Sequence, residues 1–327
     1  MEALRNTFGR QAIPMTWDFA EGNPFSESSG NWMNNIEWGA KSIRMLPARK
    51  KGFSCQDDAS RQKISMGKIV STDPPYYDNI PYADLSDFFY VWLRRSLKSV
   101  YPELFATLAV PKAEELVAFA YRHDGKSGAE DFFLNGMTNA MQCIAGQSHT
   151  AFPVTIYYAF KQSETKGKGA TGTASTGWET FLAAVMEAGL AITGTWPMRT
   201  ELANRMRGME SNALATSMVL VCERRDPSAA MLSRNEFRRE LRQRLPQVIK
   251  ELEHANIAPV DVAQAAIGPG MAIFSQAKAV LNTDDSTKSV RDALIEINDA
   301  LDEHLSEDEG AFDADTRFAL TFFESHG

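Results

Sequence analysis

The sequence predicts a layered α/β fold followed by a mainly helical C-terminal region. Two observations carry that reading: short apolar runs alternate with segments of helical periodicity between residues 54 and 225, and a long Arg/Leu-rich stretch follows from residue 226. The chain therefore divides into an amino-terminal coil and helix (1–53), a sheet-bearing region (54–225) and an acidic, mainly helical region (226–327).

Taken in order, "WDFAEGNPFSESSGNW" mixes aromatics with Gly, Pro and Ser and reads as ordered coil. "NNIEWGAKSIRML" fits a helix with Ile36, Ile43 and Leu46 turned inward. "GKIVSTDPPYY" is a strand that ends at Asp73, because two consecutive prolines cannot continue a central strand or a helix. We expect this strand near the middle of the sheet. Residues 84–99 and 129–145 have helical spacing, and "AFPVTIYYAF" is a strand. A Gly/Thr/Lys-rich flexible segment is expected at 164–177, then a helix over 178–188. "LAITGTWPM" and "ALATSMVLVCERR" supply two strands that pair antiparallel.

Composition narrows the function classes. With 327 residues and 44% apolar or aromatic content, the chain can bury an ordinary globular core. Cys55, Cys143 and Cys222 form no CxxC pair, and His123, His149, His254, His304 and His326 have no metal-binding spacing, so no metal site is expected. No apolar run reaches the roughly 18 residues that span a bilayer, and the start "MEALRNTFGRQ" lacks a secretory core. A cytoplasmic protein with no membrane partner is expected.

The net charge of −8 is unevenly spread. Arg234, Arg238, Arg239, Arg242 and Arg244 crowd one stretch, whereas Asp302, Glu303, Glu307, Asp308 and Glu309 crowd another. The basic stretch either follows nucleic-acid phosphates or is a solvated helix face. Phe237, Leu241, Leu245, Val248 and Leu252 approximate one apolar face in the same stretch, which suits either a partner or the parent core.

Open α/β sheets bind ligands at the carboxyl ends of their strands, and Asp73 stands at such an end. Asp73 and Tyr76 should project into one pocket open to solvent. The tetrapeptide Asp73-Pro74-Pro75-Tyr76, within "STDPPYYDNIPYADLSDFFYVWLRRSL", resembles the catalytic motif of amino-methylating, S-adenosylmethionine-dependent DNA methyltransferases. More specifically, the chain resembles adenine-specific DNA methylases that contain a zinc ribbon, some of them associated with anti-phage loci. The likeness extends over "LFATLAVPKAEELVA", "TGTWPMRTE", "SNALATSMVLVCERR", "APVDVAQAAIGPGMAIFS" and "DADTRFALTFFE".

The resemblance implies a partial Rossmann-like, S-adenosylmethionine-dependent methyltransferase sheet, a DNA partner and S-adenosyl-L-methionine as cofactor. Asp73 would accept an N–H hydrogen bond from the target amine, the carbonyl beside Pro74 a second, and Tyr76 would stack on an extruded base. An acid at the first position favours adenine N6 over cytosine N4; an RNA amine is a further alternative. Asp57 and Asp58 stand where relatives place an acid near the adenosyl group, although either also suits a helix cap. Tyr77, Tyr82 and Phe88 are candidates to line the base pocket and Lys112 to meet a phosphate, with core packing and solvation as the competing readings.

The FxGxG-type turn that receives the cofactor in this class has no counterpart. "GPG" at 268–270 and "EGNPF" at 21–25 lack a preceding apolar strand. The resembling family carries that turn and the zinc ribbon upstream of the matched region. The expectation is therefore an incomplete or split methylase, completed by a complementing methylase subunit; the rivals are an inactive remnant and a protein-interaction adaptor.

Overall fold

Strand polarity and a few buried polar bonds determine how this chain presents its Asp-Pro-Pro-Tyr turn. The computed structural model describes residues 23–46, 50–158, 176–199, 216–254 and 259–310. Most of the expected flexible segment at 164–177 and the "DADTRFALTFFE" stretch lie outside those residues. The chain forms two compact units, one from Met1–Asp57 with Ile80–Glu115 and one from Asp58–Asn79 with Leu116–Gly327.

In the first unit, α1 (Trp32–Met45) begins where the Asn31 side chain accepts the Asn34 N–H at 2.8 Å, a standard N-cap. The expectation that Ile36, Ile43 and Leu46 point inward is corrected: all three are exposed, and α1 buries no residue. Helical periodicity defines an apolar stripe but supplies no element to cover it. Helix α2 (Tyr82–Leu97) is tied to the returning chain by polar bonds. Glu115 accepts the Ala83 N–H at 2.8 Å, Asp87 accepts from Val110 N–H and Lys112 Nζ, and the Tyr90 hydroxyl donates to the Thr107 carbonyl at 2.9 Å.

The second unit carries a four-stranded sheet in the order β1-β2-β4-β3. Its elements are β1 (Ser71–Thr72), α3 (Lys126–Gln147), β2 (Val154–Tyr158), α4 (Thr176–Glu187), β3 (Leu190–Arg199) and β4 (Thr216–Arg224). Strands β1 and β2 are parallel, while β4 is antiparallel to both β2 and β3. Consequently β1, β2 and β3 share one direction and end on one side of the sheet. The expected antiparallel pair is present, but β1 stands at the edge of the described sheet rather than near its middle. Apolar character marks a strand and leaves its place in the order to tertiary pairing.

Packing explains the remaining elements. Along β2, Val154, Ile156 and Tyr158 are buried and the residues between them half-buried, which is the period of two that a covered strand requires. Helix α3 contributes Phe133, Met137, Met141 and Ile144, and α4 contributes Phe181, Leu182 and Val185. The C-terminal region adds β5 (Leu232–Ser233), α5 (Arg234–His254), α6 (Pro259–Gln276), β6 (Val280–Leu281) and α7 (Val290–Gly310). Phe237, Leu241, Leu245 and Ile249 of α5 are buried in the same core, with Val248 only half-buried. Phe237, Leu241 and Leu245 of the expected apolar face are therefore taken up internally, and the side chain of Leu252 lies outside the described residues.

The "GPG" segment has a packing role in α6. A Cβ at Gly268 would meet Thr195 Oγ1 at 2.0 Å, and one at Gly270 would meet Ile297 at 2.7 Å, so these glycines let α6 approach β3 and α7. A register shift between Ile192 and Gly194 interrupts the β3–β4 ladder beside the Ile192 N–H. The buried Ser275 hydroxyl of α6 accepts it at 2.8 Å, which avoids an unpaired donor in the core.

Candidate active site

The site begins where β1 runs out. Thr72 is paired with Ile156 on parallel β2, and the next residues are Asp73, Pro74 and Pro75. The prolines lack N–H donors and lock φ, so the chain leaves the ladder along a fixed path. Pro74 is buried and Pro75 half-buried, while Asp73 is exposed. Asp73 and Tyr76 do converge: the Tyr76 hydroxyl donates to Asp73 Oδ1 at 2.7 Å.

Beyond Tyr76 the backbone reverses. Tyr77 has φ +48, and its N–H donates to the Pro75 carbonyl at 3.1 Å. Its carbonyl accepts the Ala118 N–H at 3.0 Å, which anchors the turn to the segment leading into α3. Gly177 permits this close approach, since a Cβ there would stand 2.8 Å from Tyr77 Cγ. The Tyr77 ring sits edge-on to Phe133 at 5.1 Å and is buried. Burial first, and then the neighbouring Glu130 and Asp78 carboxylates, push its phenol well above the ordinary value. Tyr77 is thus a core residue that supports the turn from beneath.

Tyr76 is half-buried and rests edge-on against Tyr158 at 5.4 Å. Tyr158 stacks on Phe181 at 3.9 Å and lies 5.7 Å from Trp178. These aromatics run from the exposed turn into the core, so Tyr76 is held by packing as well as by Asp73. Tyr158, Phe181, Trp178 and Gly177 were not singled out from the sequence. Tyr158 becomes legible once β1 and β2 are known to be parallel, because its strand end then lies beside that of β1.

The other candidates are distributed. Asp58, in the second unit, accepts the Ser60 N–H at 2.8 Å and the Ser60 hydroxyl at 2.7 Å, and the hydroxyl bond leads in holding its carboxyl below the usual range. This is local turn chemistry. Asp57, Tyr82 and Lys112 belong to the first unit, where Asp57 is exposed, Tyr82 opens α2, and Lys112 Nζ donates to Asp87 Oδ2 at 2.7 Å. In α5, Arg234 Nε donates to Glu296 Oε1 at 2.6 Å, Arg238 lies 3.6 Å from the same oxygen, and Arg239 is exposed. Two of these three candidates are therefore engaged by Glu296 of α7, and Arg242 pairs with Glu303 of the same helix.

A cleft of about 520 Å3 in the second unit is lined by Met186, Arg225, Phe274 and Lys278 among others, and includes none of residues 73–76. Among the described residues no group of three or more His, Cys, Asp or Glu side chains is placed to hold a metal ion. No described helix is long and apolar enough to cross a membrane.

Fold and site together define a mixed α/β protein with a mainly helical C-terminal region and an exposed carboxylate–phenol pair at the carboxyl end of a parallel strand. No protein-family profile, curated protein or solved structure matches the chain.

Proposed function

We propose that this chain is the amine-orienting part of an S-adenosylmethionine-dependent DNA adenine N6-methyltransferase of the zinc-ribbon-containing methylase group, working in the cytoplasm. The observation that carries the reading is the exposed Asp73 carboxylate at the end of β1, engaged by Tyr76 at 2.7 Å. An ionised carboxylate accepts several hydrogen bonds, so Oδ1 can hold the phenol while Oδ2 receives an N–H of the exocyclic amine. The carbonyl beside Pro74 offers a second acceptor. Two such bonds direct the nitrogen lone pair away from the turn, and the carboxylate stabilises the positive charge that develops on nitrogen. Tyr76, steadied by Tyr158, presents its ring to a base extruded from the duplex.

The shared direction of β1, β2 and β3 supports reading the sheet as part of a Rossmann-like one, with ligands at the common carboxyl ends. S-adenosylmethionine would supply the electrophilic methyl group. Among the described residues Asp58 is committed to Ser60 and Gly268 and Gly270 serve helix packing, and the sequence holds no FxGxG-type turn after an apolar run. We therefore assign the cofactor turn to a complementing methylase subunit. The adaptor reading draws on the incomplete sheet and on the apolar face of α5, and of that face Phe237, Leu241 and Leu245 are buried in their own core.

The test is methyl transfer from labelled S-adenosylmethionine to unmethylated duplex DNA, with the chain alone and with a polypeptide that carries the glycine turn. Transfer that needs the partner and is abolished by Asp73→Ala supports the proposal. Transfer that survives Asp73→Ala, or no transfer with any partner, removes it.

A further inference from the structure

We propose that Phe119, Tyr121 and Arg122 form a stacking platform for an unstacked base of the DNA strand, beside the base that Asp73 engages. This rests on the methyltransferase reading for its substrate, but it is carried by separate residues. The Phe119 and Tyr121 rings stack with centroids 5.4 Å apart at 26°. The Arg122 guanidinium carbon lies 5.4 Å from one ring centroid and 5.5 Å from the other. Two aromatic planes and a planar cation are thus gathered within four residues. Tyr121 is 72% exposed, whereas Phe119 and Arg122 are half-buried and Val117 and Ala118 enter the core.

The platform is fixed to the catalytic turn. Ala118, the residue before Phe119, donates its N–H to the carbonyl of Tyr77, the residue after Tyr76. Tyr121 lies three residue steps beyond Ala118, a reach of at most about 11 Å. The segment is a short 3-10 turn, Ala120–Arg122, closed by Arg122 N–H to Phe119 carbonyl and Gly125 N–H to Ala120 carbonyl, both at 3.0 Å, before α3 begins at Lys126. Neither end can swing freely.

The chemistry matches a nucleic-acid strand. A carboxylate cannot reach an exocyclic amine inside a stacked duplex, so the target base must leave and its neighbour loses a stacking partner. An exposed aromatic face replaces that partner for any base, and an adjacent guanidinium both stacks and meets phosphate. The platform predicts affinity for single-stranded DNA with little sequence preference.

The test is fluorescence anisotropy of the full chain with a labelled, mixed-sequence single-stranded DNA 12-mer at two salt concentrations. Tyr121→Ala should weaken binding on the order of tenfold, whereas Tyr121→Phe, which keeps the ring, should bind as the native chain does. Arg122→Gln should weaken binding and flatten the salt dependence by about one unit of slope. No binding by the native chain, or native-like binding by both Tyr121→Ala and Arg122→Gln, overturns the inference. Methyl transfer is scored separately. Tyr121-dependent binding with no transfer even beside any polypeptide that carries the glycine turn sustains the platform and removes the enzyme reading, and complemented transfer with Tyr121-indifferent binding does the reverse.

Discussion

The Tyr76 hydroxyl donates a 2.7 Å hydrogen bond to the carboxylate of Asp73, three residues earlier in the chain. Because the Tyr76 ring is also held against Tyr158, this bond orients the carboxylate from a packed base. In the complemented methyl-transfer assay, Asp73→Ala should lower kcat by at least about 100-fold, the scale of losing a principal transition-state contact. Tyr76→Phe keeps the ring and removes the hydroxyl that bonds Asp73, so a loss of roughly tenfold is expected. Equal losses for Tyr76→Phe and Asp73→Ala would contradict an orienting role for the hydroxyl.

Gly268 gives a test that separates packing from cofactor binding. An added Cβ would fall 2.0 Å from Thr195 Oγ1, a short side chain on a strand with little room to yield. Gly268→Ala should destabilise the fold by about 1–3 kcal/mol, read by thermal or urea unfolding. An unchanged Tm would show that α6 does not depend on this close approach.

Glu296 is the acid on which three cations converge. It is 7% exposed, and its Oε1 lies 2.6 Å from Arg234 Nε, 3.1 Å from Lys288 Nζ and 3.6 Å from Arg238. Lys288 is itself only 5% exposed. Glu296→Ala leaves that ammonium buried without its partner and should cost about 3–5 kcal/mol. Glu303 pairs with Arg242 at 3.0 Å between exposed side chains, so Glu303→Ala should cost no more than about 1 kcal/mol. Similar losses for the two variants in chemical unfolding would refute the distinction.

Cys222 should make stability fall at high pH. Burial pushes its thiol from 9.0 up to about 12. Between those values the unfolded chain releases the thiol proton while the folded chain keeps it, so the unfolded state binds fewer protons and stability declines as pH rises. The contribution approaches about 1.4 kcal/mol per pH unit inside that window. Cys222→Ala should show a shallower decline over the same range, and an unchanged slope would count against the burial effect. At neutral pH a thiol reagent should modify exposed Cys55 well before Cys222.

The helices, the paired strands and the break at Asp73 were legible in the sequence because each depends on local periodicity or on proline. Residues 126–147 and 154–158 carry their period in the order of their apolar side chains, and two adjacent prolines end a strand in any surroundings. The Asp73–Tyr76 pair was likewise readable as a candidate site. Its support was not: Tyr158, Trp178, Phe181 and Gly177 lie about 80 to 105 residues away in the chain and reach the turn only through strand pairing and α4 packing.

Tertiary structure also decided what each ambiguous face does. The periodicity of α1 promised a buried stripe that its surroundings do not cover, whereas on the periodic face of α5 Phe237, Leu241 and Leu245 are buried in the core. The basic run of α5 had two readings in sequence, and the placement of Glu296 on α7 engages Arg234 and Arg238. The position of β1 at the sheet edge was invisible for the same reason. A residue's local pattern records its own conformational preference, while its neighbour across a sheet or a helix interface is selected by the whole chain's packing.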